Sequence, residues 1–298
     1  MEKFTRIEEI SKYIQTLKKS GKKIGFVPTM GCLHEGHLSL IREAKKKSDI
    51  IAVSIFVNPA QFGPKEDYKK YPRDLIKDIK LLEKEKVDIL FYPSVDEMYG
   101  KSGNNTEIKV PILSEKLCGK FRPGHFNGVT TVVAKLFNII QPDFAYFGKK
   151  DYQQCVIIKK MVKDLNIPVE IIGCSLIREK DGLARSSRNK YLSDEERKDA
   201  LILYKSLNEA IPMIKEGQNK ASIIINKIKK MINGIESAKI DYVDIVNPDT
   251  LESVRVIKNK DVIVMAVWIG KTRLIDNMEV GDKILEHIPT CRDPATLL

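Results

Sequence analysis

Pro28-Thr29-Met30-Gly31-Cys32-Leu33-His34-Glu35-Gly36-His37 decides the fold, because it lies where a short apolar strand hands over to a helix. The strand is Lys23-Ile24-Gly25-Phe26-Val27. The helix is read from the apolar spacing in Leu38-Ser39-Leu40-Ile41-Arg42-Glu43-Ala44, which runs up to Lys45-Lys46-Lys47. A second apolar run, Ile50 to Val57, closes a β-α-β unit. In such units the crevice beyond the strand C-termini takes ligands, and a helix N-terminus there offers N–H groups and partial positive charge to phosphate.

His34 and His37 are three residues apart with Gly36 between them, so one helical turn can aim both imidazoles at one anionic group. Glycine at that point lets backbone approach closely. That pattern suits the leaving phosphates of a nucleotide. Two plainer readings stay open on the pattern alone: ordinary helix-start residues, or ligands of zinc. Zinc is the weaker of these, since a site takes three or four ligands and only His125 and His287 remain, with no paired-cysteine spacing.

At 298 residues the chain is long enough for two domains, and 43% hydrophobic with 31% charged residues is the balance of a soluble globular protein. Met1 to Ser20 is a charged amphipathic segment without a signal core, and no apolar run reaches membrane-spanning length, so a cytoplasmic protein without membrane partners is expected. Five scattered cysteines, Cys32, Cys118, Cys155, Cys174 and Cys291, suit reduced thiols. A formal charge of +11 raises nucleic acid as a partner. The lysines, however, are spread along stretches such as Lys77 to Lys86 and Lys215 to Lys230, without aromatic stacking motifs, so anionic small molecules are expected and polynucleotides are not.

Downstream, the strand Ile50 to Val57 runs into Asn58-Pro59-Ala60-Gln61-Phe62-Gly63. Gln61 at that strand end can hold a hydroxyl or carboxylate in one orientation without adding charge, although loop capping is the plainer use of such a glutamine. Helices Asp74 to Lys86, Phe126 to Ile140 and Tyr152 to Leu165 alternate with strands Val87 to Tyr92, Phe144 to Phe147 and Val169 to Cys174, which predicts a mostly parallel sheet wrapped by helices. Phe147-Gly148-Lys149-Lys150-Asp151 opens a helix after a strand, with Gln154 one turn in. Asp181-Gly182-Leu183-Ala184-Arg185-Ser186-Ser187-Arg188-Asn189 reads as a mobile loop whose hydroxyls and guanidinium forks could close on a triphosphate.

After a capping-box start at Ser193-Asp194-Glu195-Glu196 the pattern changes. Helices Asp194 to Ile214 and Ala221 to Asn233 precede strands Ile240 to Val246, Val262 to Ile269 and Arg273 to Asn277, a small antiparallel sheet on a second domain. The expected fold class is therefore α/β. A Rossmann-like domain over 1–178 carries the parallel sheet, and a smaller α+β domain over 179–298 carries the antiparallel one.

Over about residues 3 to 281 the chain resembles the pantothenate synthetases, the pantoate–β-alanine ligases of the adenylate-forming nucleotidyltransferase superfamily. The blocks that carry the likeness are Pro28 to Gly31 with His34 to His37, Phe56 to Pro59 with Gln61-Phe62, Tyr71-Pro72-Arg73, Arg122 to Phe126, Lys150 to Gln154, Asp181 to Ala184 with Ser186 to Asn189, and Arg273 to Asn277. The resemblance implies a two-step reaction. Pantoate carboxylate attacks the α-phosphate of ATP and releases pyrophosphate; the amine of β-alanine then displaces AMP from pantoyl adenylate to give pantothenate.

By the same match, Met30, Gly31, Cys32, Leu33, His34, Glu35, Gly36 and His37 bind ATP, with His37 as proton donor. Gln61 and Gln154 hold pantoate, and Gln61 also meets β-alanine. Gly148, Lys149, Lys150, Asp151, Ile177, Arg185, Ser186, Ser187 and Arg188 complete the nucleotide site, magnesium lies near Asp78, and the protein is a homodimer. Charge on the reacting phosphate falls to His34, His37, Lys150 and Arg188, and a second domain acting as a lid suits a water-sensitive anhydride. Lys149 and Arg185 depart from the common family pattern, which often has glutamate at the first position and usually an apolar residue at the second. A cytidylyltransferase-like enzyme, which shares an H-x-G-H, and a basic RNA-binding protein are the alternative readings.

Overall fold

The computed structural model describes residues 1–64, 66–103 and 106–281; His287 and Cys291 lie outside them. The chain divides into two compact units, Met1–Ser175 and Leu176–Leu298.

The first unit is built on six strands: β1 (Glu2–Phe4), β2 (Ile24–Thr29), β3 (Ile50–Ile55), β4 (Ile89–Phe91), β5 (Phe144–Gly148) and β6 (Glu170–Cys174). They lie in the order β1-β4-β3-β2-β5-β6, and every pairing is parallel. Parallel strands covered on both faces read as continuous apolar runs, and β2 and β3 follow that rule: Ile24, Phe26, Val27, Ile51, Ala52 and Val53 are all buried. Between them run α1 (Ile7–Lys19), α2 (Glu35–Ala44), α3 (Leu75–Lys84), α4 (Val95–Tyr99), α5 (Leu117–Phe121), α6 (His125–Ile140) and α7 (Tyr152–Asp164). One buried cluster joins Val27 and Val53 of the sheet to Leu38 and Ile41 of α2 and Leu82 of α3.

Helix α6 is mostly apolar and twelve of its sixteen residues are buried, which makes it a central helix instead of a surface one. It packs so closely on the 3-10 turn Pro59–Gln61 that a Cβ at Gly128 would stand 2.2 Å from the Ala60 carbonyl oxygen. The edge strand β1 has no counterpart in the sequence reading, because three residues are too few to show a period.

The second unit is described to Gly281. It holds α8 (Asp194–Lys215), α9 (Ala221–Asn233) and the antiparallel strands β7 (Ala238–Val246), β8 (Val262–Ile269) and β9 (Thr272–Glu279), in that order across the sheet. Leu203, Leu207, Ile224, Ile228, Ile263, Met265 and Val267 form its core. The expected capping box starts α8: Ser193 Oγ accepts from the Glu196 N–H and Glu196 Oε2 from the Ser193 N–H. The α/β class with a smaller antiparallel C-terminal sheet stands as read.

The Asp181–Asn189 segment, expected as a mobile loop, makes several contacts within its own unit. Buried Arg178 forms a two-pronged ion pair with Asp276, at 2.7 and 2.9 Å, donates to the Gly182 carbonyl and lies over the Tyr204 ring. Asn189 is held by Glu179 and by the Ala184 carbonyl. Small and polar composition does not reveal these partners, because the buried charge pair joins residues far apart in sequence.

Candidate active site

Strand β2 pairs with β3 on one side and with β5 on the other, so the sheet reverses its direction of travel between β2 and β5. Ligands bind outside the strand C-termini at such a switch point. The loops that leave β2 and β5 carry the histidine motif and Gly148-Lys149-Lys150-Asp151, and the sheet brings them side by side although more than a hundred residues separate them in sequence. Their proximity is felt as charge at His37: Asp151 raises its proton affinity and Lys150 lowers it. The Lys150 ammonium stands 3.8 Å from the Asp151 carboxylate.

The two histidines cap their own helix. His34 is the N-cap of α2; its Nδ1 accepts from the Gly36 N–H at 3.2 Å, and His37 Nδ1 accepts from the His34 N–H at 3.4 Å, a capping box built from imidazoles. A neutral imidazole that accepts at Nδ1 carries its proton on Nε2. Both rings therefore present Nε2–H donors, and they lie against each other with centroids 4.1 Å apart and planes tilted by 33°. Burial among surrounding atoms pushes the His37 imidazole down to about 4, with Lys150 adding to the shift and Asp151 opposing it. At neutral pH His37 is thus a hydrogen-bond donor without charge.

The turn before the cap is unusual. Gly31 has φ +80° and Cys32 φ +51°, two consecutive residues in the left-handed region. The Cys32 and Leu33 N–H groups both point at Asp78 of α3, donating to Oδ2 at 2.8 Å and to Oδ1 at 2.7 Å. Asp78, where the resemblance puts magnesium, is 2% exposed. Among the described residues no group of three or more His, Cys, Asp or Glu could hold a metal ion.

Gln61 is organised from a distance. Asn58 Nδ2 donates to Gln61 Oε1 and to the Gly128 carbonyl, while Asn58 Oδ1 accepts from the Ala60 N–H and from the Tyr99 hydroxyl at 2.6 Å. With its oxygen taken, Gln61 turns its NH2 toward Met30 Sδ at 3.0 Å. The Gln61 carbonyl accepts from His125 Nδ1 at 2.7 Å, and His125 Nε2 in turn accepts from Arg122, which is clamped by Glu66. Burial depresses His125 to about 4, helped by the Arg122 charge and opposed by Gln61 and Glu66. For Glu66 burial works upward, yet the bonds and charge of Arg122 outweigh it and hold the carboxyl below its ordinary value. Burial also raises the Tyr99 hydroxyl to about 12.

Sequence reading missed this support. Asn58 could have been suspected as an amide directly after a buried strand, but nothing in the pattern links Tyr99, Arg122 and Glu66 to Gln61. Of the neighbouring pair in α7, Gln153 is spent inside the fold on Cys118, Leu113 and Lys116, while the side chain of half-buried Gln154 makes no hydrogen bond among the described residues.

A cavity of about 280 Å³ opens over the C-terminal ends of β2, β3 and β4 beside this cluster; of the expected site residues it touches Met30, Gly31 and Asp78. Ile177, Arg185, Ser186, Ser187 and Arg188 belong to the second unit. There the Arg185 N–H donates to the Ile177 carbonyl at 2.9 Å, Ser186 Oγ caps the 3-10 turn Ser187–Tyr191 by accepting from the Arg188 N–H, and Ser187 is buried.

Residues 2–279 match the family model described as pantoate-beta-alanine ligase. Pantothenate synthetase of Thermoanaerobacter sp. (strain X514) is 59% identical over 279 residues, covering 94% of this chain and 98% of that protein. The pantothenate synthetase of Sulfurihydrogenibium sp. (strain YO3AOP1) is 56% identical over 280 residues, covering 94% of this chain and 100% of its own. Among solved structures, pantothenate synthetase from Thermus thermophilus superposes with a TM-score of 0.89 at 42% identity, covering 94% of this chain and 99% of that one. Pantoate-beta-alanine ligase from Francisella tularensis, complexed with beta-gamma ATP and beta-alanine, gives 0.77 at 39% identity over 95% of this chain and 99% of its own.

Proposed function

The chain belongs to the pantoate–β-alanine ligase family, and from that premise we propose that it condenses (R)-pantoate with β-alanine at the expense of ATP. In the first step a pantoate carboxylate oxygen bonds to the α-phosphorus and pyrophosphate leaves. In the second the β-alanine amine bonds to the acyl carbon, AMP leaves, and the ammonium gives up a proton as the amide forms. The reading is favoured over CTP-dependent cytidylyl transfer and over RNA binding.

The observation that carries the mechanism is the juxtaposition of His37 with Lys150 and Asp151 at the β2–β5 switch point. Phosphoryl transfer asks the protein for positioning and for donors aimed at developing charge. The Nε2–H groups of His34 and His37 are such donors, held in one tautomer by the cap of α2. Lys150 supplies positive charge. His37 acts in this reading by hydrogen bonding, because burial keeps it neutral. Gln61, its oxygen occupied by Asn58, offers NH2 to an oxygen of pantoate, and Gln154 has an uncommitted amide for the same substrate.

The ATP roles of Met30 to His37 as a stretch, of Gly148, Lys149 and Asp151, and of Ile177, Arg185, Ser186, Ser187 and Arg188 rest on the resemblance, as do a homodimer and a cytoplasmic location. Supporting the last, no helix among the described residues is long and apolar enough to cross a membrane. Magnesium is proposed to travel with the triphosphate. Among the described residues no group of three or more His, Cys, Asp or Glu forms a cage for it, and each Asp78 oxygen already accepts from a main-chain amide.

Pyrophosphate exchange tests the reading. Exchange of labelled pyrophosphate into ATP is expected to need pantoate and magnesium but not β-alanine, and the complete mixture yields AMP and pantothenate. A requirement for β-alanine, or ADP as product, means an acyl phosphate route instead.

A further inference from the structure

Asp78 lies deep in the first unit, in α3, and its carboxylate spans two consecutive backbone amides, one oxygen to each. Successive N–H groups that converge in this way form an anion-binding nest. Here the anion is the protein's own. The nest exists because Gly31 and Cys32 both adopt left-handed backbone, and a non-glycine residue holds that conformation only when its surroundings impose it. Space is adjusted to the same contact: a Cβ on Gly31 would stand 3.0 Å from Asp78 Oδ2.

The clamp is rigidly referenced to the helix that carries the histidines. Leu82, one turn beyond Asp78 in α3, shares a buried cluster with Leu33, Leu38 and Ile41, which flank the motif on the α2 side. Asp78 therefore reaches the residue immediately before the His34 cap through hydrogen bonds, and α3 reaches the same segment through packing.

We propose that Asp78 is a positioning residue for the nucleotide site: it locks the Gly31-Cys32-Leu33 turn so that His34 and His37 present their Nε2–H groups in register, and it does so without ligating the metal. The proposal rests on the ligase reading above. A carboxylate that swung to a metal would leave two buried N–H groups without their acceptor, whereas a clamp keeps both bonds through turnover; each oxygen retains a second lone pair, so ligation with both bonds kept is separated by the magnesium dependence measured below.

Two measurements test this, the first on the unmodified full chain. Amide hydrogen exchange at Cys32 and Leu33 is followed by NMR with and without Mg–ATP. Protection that stays within about threefold, or grows, supports the clamp; exchange accelerated more than about tenfold at these two amides, with His34 to His37 protected, overturns it. Absence of any protection at His34 to His37 fails the ligase reading and the catalytic half of the proposal with it.

The second measurement uses Asp78→Asn, checked for folding by thermal unfolding. Its amide can accept from one N–H and sets an NH2 against the other. Pyrophosphate exchange at saturating magnesium is expected to slow about thirtyfold or more, with the magnesium concentration for half-maximal rate changed by less than about twofold. A half-saturation raised more than about tenfold with near-normal rate at high magnesium identifies a metal ligand and overturns the assignment. A normal rate with normal magnesium dependence overturns it as well. If the variant does not fold, the exchange experiment on the unmodified chain decides alone.

Discussion

The histidine turn and the glutamine turn leave neighbouring strands of one sheet, yet they are held in opposite ways. The imidazoles of His34 and His37 cap their own helix through bonds to each other and to Gly36, within three residues, and only the backbone turn before them reaches a distant partner, Asp78. Gln61 is fixed by Asn58 on its own turn and then by Tyr99, Arg122, His125 and the Gly128 carbonyl, 38 to 67 residues away in sequence. A motif that caps its own helix can lose a side chain and keep its backbone. A turn whose shape depends on distant partners couples substrate contact to the packing of α4 and α6. The two regions should therefore respond differently to substitution: in the first chemistry fails and stability survives, and in the second both move together.

The largest effect tests the local side of the contrast. His37→Ala removes one donor to the transferring phosphate, which costs about 2.7 kcal/mol or more, a hundredfold slowing of pyrophosphate exchange. Melting temperature is expected to fall by only a few degrees, since one cap acceptor is worth about 1 kcal/mol. A higher KM for ATP with unchanged kcat would make His37 a uniform binding residue and weaken the comparison.

Gly128→Ala tests the other side. The new Cβ meets the Ala60 carbonyl, so α6 and the Pro59–Gln61 turn must part, an overpacking that costs about 1–3 kcal/mol of stability. Urea unfolding should register that loss and steady-state kinetics a raised KM for pantoate in the same variant, with KM for ATP nearly unchanged. Lost stability with normal pantoate binding would break the coupling.

Acid offers a probe of both turns at once. The folded state holds His37 and His125 down to about 4, while an unfolded histidine titrates near 6.5. Between those values the unfolded chain binds more protons, so stability is full above about pH 6.5 and declines as pH falls toward 4, by up to about 1.4 kcal/mol per pH unit for each histidine. Denaturant titrations from pH 7.5 to 5 measure the slope. In His125→Gln it should be shallower; an unchanged slope would deny the buried neutral state of His125.

The smallest expected effect is that of Tyr99→Phe, which deletes one hydrogen bond to Asn58 Oδ1 while the Ala60 N–H and Gly128 carbonyl still fix the amide. A net bond of about 1 kcal/mol corresponds to roughly fivefold in KM for pantoate. Because the path runs through Gln61, the effect should vanish in a Gln61→Ala background. Equal effects in both backgrounds would show that Tyr99 acts elsewhere.

By itself the sequence determined what is local or periodic. The apolar runs at Ile24 and Ile50, the helical spacing after His37 and the capping box at Ser193 were legible because each is written within a few residues, and strand and helix periods follow from backbone geometry alone. Several motifs in fixed order also carried the family. Tertiary structure decided everything that needs partners brought from afar. It paired β2 with β5, so that Lys150 and Asp151 act on His37. It turned Asp78 into a clamp on Cys32 and Leu33, handed Gln61 to Asn58 and Tyr99, and pinned the segment at Asp181 through Arg178 and Asp276. A hydrogen bond between residues dozens of positions apart leaves no period in the chain; its geometry exists only once the packed core has fixed both ends.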